Sequence, residues 1–302
     1  MANITAAMVK ELREKTSAGM LDCKKALDEN NGDMEKAVTW LREKGIAKAV
    51  KKESAVAAEG LCSYAINGNK CVVFELNSQT DFVAQNEKFL NLLEQIGQVL
   101  ANANVSNTED ALNVDVNGKT LGTVILEASG VIGEKITLRR VNVLTKNSDE
   151  VFGAYKHMKG KIVTVATLKG NDDVVAKDIA MHVAALNPRY VSKNDVPAEV
   201  ISQEREIILA AALNENAQSA KPKPENIVAE RIVPGRLEKN LKEICLLSQA
   251  FVKNPDQTVE AYVNGAKSQV VSFVRLEVGE GIEKKVNDFA AEVAAQSAAF
   301  NK

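Results

Sequence analysis

Nucleophilic or metal chemistry in this chain would have to come from four cysteines and two histidines. Cys23, Cys62, Cys71 and Cys245 include no C-x-x-C pair, and His157 and His182 stand 25 residues apart. Neither a zinc site nor a disulfide framework is expected from that spacing. A Cys–His nucleophile pair has no supporting pattern either. His182 lies in an apolar, helix-like stretch and reads as a satisfied core histidine. His157, in Tyr155-Lys156-His157-Met158-Lys159-Gly160, falls in the turn before a strand and suits a surface role. No G-x-x-x-x-G-K-[ST], strand-following G-x-G-x-x-G or H-E-x-x-H occurs, and Gly279-Glu280-Gly281 is too short to cradle a phosphate. The expectation is a protein with no catalytic residue, no metal and no cofactor.

The most informative stretch is instead Asn77-Ser78-Gln79-Thr80-Asp81-Phe82-Val83-Ala84. Before it, Cys71–Leu76 reads as a short apolar strand; after it, Phe89, Leu92, Leu93, Ile96, Val99 and Leu100 recur at helical spacing. The stretch is a strand-to-helix turn, and Asn77, Ser78, Thr80 or Asp81 can cap the helix, worth roughly 1 kcal/mol. Phe82 has two readings. Spaced by sevens with Phe89 and Ile96, it fits one buried stripe; otherwise it stands at the mouth of the turn.

The elements that carry this turn follow from composition and periodicity. A chain of 302 residues suggests two or three domains. Lys plus Arg number 38 against 40 Asp plus Glu, which argues against a surface built mainly to grip nucleic-acid phosphates. The start, Met1-Ala2-Asn3-Ile4, lacks a basic region followed by an apolar run, and no apolar stretch approaches about 18 residues. A cytosolic protein, without membrane or direct nucleic-acid contact, is expected. Aromatic residues make up only 4%, so each exposed ring counts.

Residues 1–46 read as three short helices: Thr5 caps the first, Gly19 precedes the second, and Asp33 caps a third that Gly45 closes. So small a bundle has a marginal core and suits a docking module. Residues 47–58 read as a linker. Residues 59–142, an α+β lobe, hold two strands around Asn67-Gly68, the turn, the long helix, a polar stretch from Asn102 to Val116 that reads as a mobile connection or short helix, and a strand from Val131.

A second lobe, 143–187 with 230–278, repeats the pattern. Displacing the chain by 92 residues sets Gly68 on Gly160, Val73 on Val165, Leu76 on Leu168, Asp81 on Asp173 and Ala84 on Ala176. Phe82 then meets Val174, beside Lys177 and Asp178, on a side that is not purely apolar. That places the ring at the edge of the stripe. Residues 188–229 form an inserted antiparallel helical hairpin, broken at Lys221-Pro222-Lys223-Pro224 and kinked on its return at Pro234-Gly235. Its apolar stripe serves the hairpin or a second copy of the protein, a homodimer. Val270–Val278 is a closing strand, and 279–302 is a C-terminal helical module with a helix from Ile282 to about Ala298.

Several motifs in order resemble the elongation factor Ts family: Ala18-Gly19-Met20-Leu21-Asp22-Cys23-Lys24-Lys25-Ala26-Leu27, Gln79-Thr80-Asp81-Phe82-Val83, Met181-His182-Val183-Ala184-Ala185 and Glu277-Val278-Gly279-Glu280-Gly281-Ile282-Glu283. The resemblance implies a domain similar to ubiquitin-associated domains, a two-lobed core, a helical hairpin and a C-terminal module. It also implies nucleotide exchange on the GTPase elongation factor Tu, with Phe82 wedging near the magnesium site beside Thr80, Asp81 and Val83. Met20, Leu21 and Lys24 match the family's N-terminal patch, Ile132 and Gly133 a contact of the first lobe, and His157 and Val252 contacts of the second. Lys253 stands where relatives can carry methionine, and Pro234 is a departure in the hairpin. The alternative reading is an adaptor that tethers a partner through its helical bundle without promoting exchange.

Overall fold

Apolar alternation and helical stripes of this kind need partners to cover them, and the computed structural model shows how they are covered. It describes residues 4–16, 18–50 and 54–283. The expected C-terminal helix falls, from residue 284 onward, outside the described residues. Helix and strand are mixed as an α+β fold, in two compact units. The first comprises the described parts of Met1–Ala65, Phe74–Val143 and Glu277–Lys302; the second comprises Ile66–Val73 and Leu144–Leu276.

In the first unit, α1 (Ala6–Thr16), α2 (Met20–Glu29) and α3 (Met34–Val50) close around Leu12, Cys23, Ala26, Leu27 and Ala37. Thr5 Oγ1 accepts from Met8 N–H at 3.3 Å and Asp33 Oδ1 from Lys36 N–H at 3.0 Å, the two expected caps. Gly45 does not end α3, contrary to the sequence reading; the helix continues through Val50, into the stretch expected as a linker. The reason is packing. Gly45 backs onto Gly130 of α7 (Leu121–Ile132), where a Cβ would meet the Gly45 carbonyl carbon and oxygen at 2.6 Å.

β1 (Glu59–Asn67) and β2 (Lys70–Ser78) form the expected hairpin about Gly68, and β3 (Thr137–Thr145) lies on the other side of β2. After β2 come α4 (Asp81–Ala84), α5 (Glu87–Asn102) and α6 (Thr108–Leu112). Phe89, Leu92, Leu93, Ile96 and Leu100 of α5 are buried as the periodicity requires. The strand expected from Val131 begins only at Thr137. Leu121–Ile132 is helical despite its valine and isoleucine content, because Thr120 caps it, accepting from Thr123 N–H at 3.2 Å, and Gly133 ends it at φ 88°. A short apolar run alone does not separate the two states.

In the second unit, β4 (Glu150–His157) pairs antiparallel with β5 (Ile162–Lys169) from Glu150↔Lys169 to His157↔Ile162. β8 (Gln269–Glu277) lies beside β5, so the order β4-β5-β8 repeats β1-β2-β3. α8 (Asp173–Leu186) covers the sheet through Val175, Ala176, Ile179, Ala180 and Val183. It approaches so closely that a Cβ on Gly153 would meet Ala176 carbonyl atoms at 2.0 Å.

α9 (Ala198–Ala217) and the return helix form the hairpin, around Ala212, Val228 and Val233. The return comprises α10 (Glu225–Ile227), a π-helical turn (Val228–Ile232) and α11 (Val233–Ile244). Pro234 stands at the start of α11, just past the π turn. A wide turn there is what a proline demands, since it has no N–H to donate and its ring crowds the carbonyl four residues back. Arg236 Nη2 donates to Glu215 Oε2 at 2.6 Å across the hairpin. Two short strands, β6 (Ala250–Phe251) and β7 (Asn254–Thr258), and α12 (Val259–Gly265) complete the unit; the sequence reading did not anticipate them. Among the described residues no helix is long and apolar enough to cross a membrane.

Candidate functional site

The turn after β2 is held from several directions. Thr80 is extended, at φ −122° and ψ 155°, and its Oγ1 accepts from Val83 N–H at 3.3 Å, so Thr80 is the cap of α4. Ser78 Oγ donates to the Thr80 carbonyl at 2.9 Å, and Asn77 Nδ2 donates to Glu75 Oε1 at 2.9 Å. Glu134, two residues past the end of α7, takes three further bonds: Gln79 N–H at 3.1 Å, Thr80 N–H at 3.0 Å and Thr80 Oγ1 at 2.7 Å. No local pattern announced Glu134, which is 54 residues from Thr80.

α4 ends after one turn. Asn86 caps α5 afresh, accepting from Lys88 N–H at 2.9 Å. That second cap takes Phe82 off the stripe: Phe89 and Ile96 are fully buried, whereas Phe82 is 82% exposed. The sevenfold spacing therefore does not describe one helix face. Asn86 followed by Glu87 was the sequence signal for the break. Asp81 opens α4, where a carboxylate favours the positive end of the helix.

In the three-helix bundle, Met20 and Leu21 are 60% and 85% exposed. With Lys24, Ile4, Val9, Lys10 and Arg13 they line a groove of about 390 Å³. Its lining is mostly apolar and includes three cations, Lys10, Arg13 and Lys24. Ile132 is the last residue of α7 and Gly133 its left-handed cap, so both lead directly into Glu134.

Below this surface the first unit is braced by a buried carboxylate. Glu75 is fully buried and accepts from Arg139 Nη1 at 3.0 Å, Arg140 Nε at 2.5 Å and Gly279 N–H at 2.7 Å. The two guanidinium groups also hold the Glu277 and Glu280 carbonyls, at 2.6 and 2.7 Å. Cys62 and Cys71 are buried in the same sheet, and burial pushes both thiols up to about 12. They are protonated at neutral pH and unsuited to nucleophilic work.

Residues 79–280 match the family described as elongation factor TS. Over 294 residues the chain is 53% identical to elongation factor Ts of Acholeplasma laidlawii (strain PG-8A), covering 97% of this chain and 98% of that protein. The chain belongs to the elongation factor Ts family. It is thus a translation elongation factor, of a family whose role is nucleotide exchange on elongation factor Tu.

In elongation factor Ts terms, the remaining expected contacts lie in the second unit. His157 ends β4 exposed, its ring stacked on Tyr155 at a centroid distance of 6.1 Å. The turn after it carries Met158 and Lys159 at φ 47° and 57°, an uncommon conformation for residues with a side chain. Val252 is 40% exposed, on the turn between β6 and β7. Its backbone is tied down: Val252 N–H donates to His182 Nδ1 at 3.1 Å, while His182 Nε2 faces Gln249 Oε1 at 2.9 Å. An acceptor at Nδ1 and a donor at Nε2 fix the neutral tautomer. Burial holds this imidazole below its ordinary value of 6.5, opposed by the bond to Gln249. The core role expected for His182 thus includes the support of Val252. Lys253, beside it, pairs with Asp178 at 2.5 Å, and Tyr262 Oη donates to the same carboxylate at 2.9 Å.

Proposed function

We propose that this chain binds elongation factor Tu and promotes GDP release by pressing the Thr80–Val83 turn, with Phe82 foremost, against the partner's magnesium and phosphate region. The observation that carries the reading is Phe82 itself: a phenyl ring 82% exposed on a turn fixed by hydrogen bonds. Exposing such a ring forgoes about 1.5–3 kcal/mol of burial, which a partner surface can supply. Met20, Leu21 and Lys24 offer the partner an apolar patch with a cation. Ile132 and Gly133 adjoin the turn through Glu134, and His157 and Val252 are contacts of the second unit.

Weakening bound GDP about a thousandfold requires roughly 4 kcal/mol of differential affinity. One phenyl ring falls short of that, so the remaining contacts must contribute. Linkage makes the effect reciprocal, and incoming nucleotide displaces the factor. The reaction needs no covalent step, cofactor or metal from this chain, and its place is the cytoplasm. Homodimerisation through the hairpin is a separate proposal, which sedimentation at several concentrations tests.

The deciding experiment is release of a fluorescent GDP analogue from elongation factor Tu. Wild-type chain should accelerate release, and Phe82→Ala should reduce the acceleration by about tenfold or more while the melting curve stays unchanged. A chain that binds the partner but leaves the release rate alone is the tethering adaptor. An unchanged rate in Phe82→Ala removes the wedge role.

A further inference from the structure

We infer that Glu134 is a positioning residue for exchange: it need not meet the partner, because its carboxylate sets the turn that aims Phe82. The inference rests on the docking role proposed for that turn. Glu134 gathers three donors from two consecutive residues, Gln79 N–H and Thr80 N–H on Oε2 and Thr80 Oγ1 on Oε1. The hydroxyl hydrogen of Thr80 is committed to Glu134, which leaves its lone pairs to cap α4 through Val83 N–H. One carboxylate therefore fixes both the entry into α4 and the orientation of its cap. α4 has only four residues and cannot hold itself. Without Glu134, two backbone donors and the cap lose their fixed partner, and Phe82 samples directions other than the productive one.

Gly133 makes the clamp reachable. At φ 88° it ends α7 and turns the chain toward the Gln79–Thr80 backbone. A change at Ile132 or Gly133 therefore displaces Glu134, with or without a contact to the partner.

The test compares Glu134→Ala, Glu134→Asp and Glu134→Gln, each with and without Phe82→Ala, in the GDP-release assay on the full chain. Glu134→Ala should lower stimulated release about tenfold, the loss expected when charge-assisted bonds that preorganise a contact are removed. Glu134→Asp, one methylene short of the same donors, should behave like Ala. Glu134→Gln should retain most activity, since its carbonyl can accept the two backbone N–H groups and its amide can donate to the Thr80 hydroxyl. A direct charge contact with the partner predicts the opposite, with Gln as damaging as Ala.

In the Phe82→Ala background, Glu134→Ala should cost clearly less than it does alone, because most of its effect runs through the ring that the turn aims. Additive losses, or a Gln variant as poor as Ala, overturn the inference. Amide hydrogen exchange supplies a readout independent of activity: Gln79 and Thr80 should lose protection in Glu134→Ala while α5 and β2 keep theirs. Loss of protection throughout the first unit would mark a general fold defect and overturn the inference. A lowered rate in Phe82→Ala beside an unchanged rate in Glu134→Ala overturns the positioning role alone. An unchanged rate in Phe82→Ala overturns the docking reading and takes the positioning role with it.

Discussion

The two halves of the duplication use the same plan and hold it together differently. Thr80 and Asp172, 92 residues apart, are equivalent caps, and Phe82 and Val174 follow them as exposed apolar residues. In the second copy Asp172 accepts from both Val174 N–H and Val175 N–H at 3.0 Å, and α8 runs on for 14 residues. In the first, α4 stops after four residues, Asn86 starts a new helix, and Glu134 clamps the isolated turn. A cap that continues into a helix gains rigidity from the helix. A cap followed by a break must be held by tertiary contacts, and in return it can present a large aromatic residue away from the core.

The largest expected difference lies beneath the turns. Glu75 and Thr167 occupy equivalent strand positions, but Glu75 is a buried ionic hub while Thr167 Oγ1 is buried without a hydrogen-bond partner. Glu75→Ala should destabilise the first unit by about 3–5 kcal/mol, because two arginines and the Gly279 N–H lose their acceptor. Thr167→Val should be neutral or stabilising, since it removes an unpaired hydroxyl from an apolar setting. Urea unfolding of each variant checks both. Equal sensitivity at the two sites would mean the hub does not distinguish the copies.

Helix-on-sheet packing gives the next contrast. Gly153→Ala drives a Cβ into α8 backbone at 2.0 Å, whereas Gly97→Ala meets Ala65 and Phe74 side chains at 3.4–3.5 Å. The first should cost about 1–3 kcal/mol or more, and the second clearly less, because side chains yield more readily than backbone. Thermal melts of the pair suffice, and a reversed order would mean the helix shifts on the sheet more easily than its packing implies.

Acid should separate the copies least. Both histidines lie in the second unit. Burial depresses His182 below 6.5 in the folded state, so below that pH the unfolded chain takes up a proton that the folded chain refuses. The contribution of this group is full near pH 7 and is lost as pH falls from 6.5 through the lower folded value. The slope is at most about 1.4 kcal/mol per pH unit for one proton. Amide exchange between pH 7.5 and 5.5 should show second-unit protection falling and first-unit protection holding, and His182→Gln should flatten the trend.

Much of this was legible in advance because it is local. Thr5 and Asp33 as caps, Asn67-Gly68 as a turn, the α5 stripe and the Ile162–Leu168 strand all depend on residues a few positions apart. What misled was locally ambiguous. Gly45 has the look of a helix terminator until Gly130 is found against it, and Val131-Ile132, which read as the start of a strand, are the end of α7. Glu134 gave no sign at all, since a carboxylate's distant partner leaves no periodicity to read.

Sequence alone determined the duplication, the capped turn with its out-of-place aromatic, and the lack of any motif for covalent chemistry, all of them properties of residue type and short spacing. Tertiary structure decided which way Phe82 faces. The ring is exposed because Asn86 interrupts the helix and Glu134 fixes what remains, and that second constraint exists only once residues 54 positions apart have been brought within 2.7 Å.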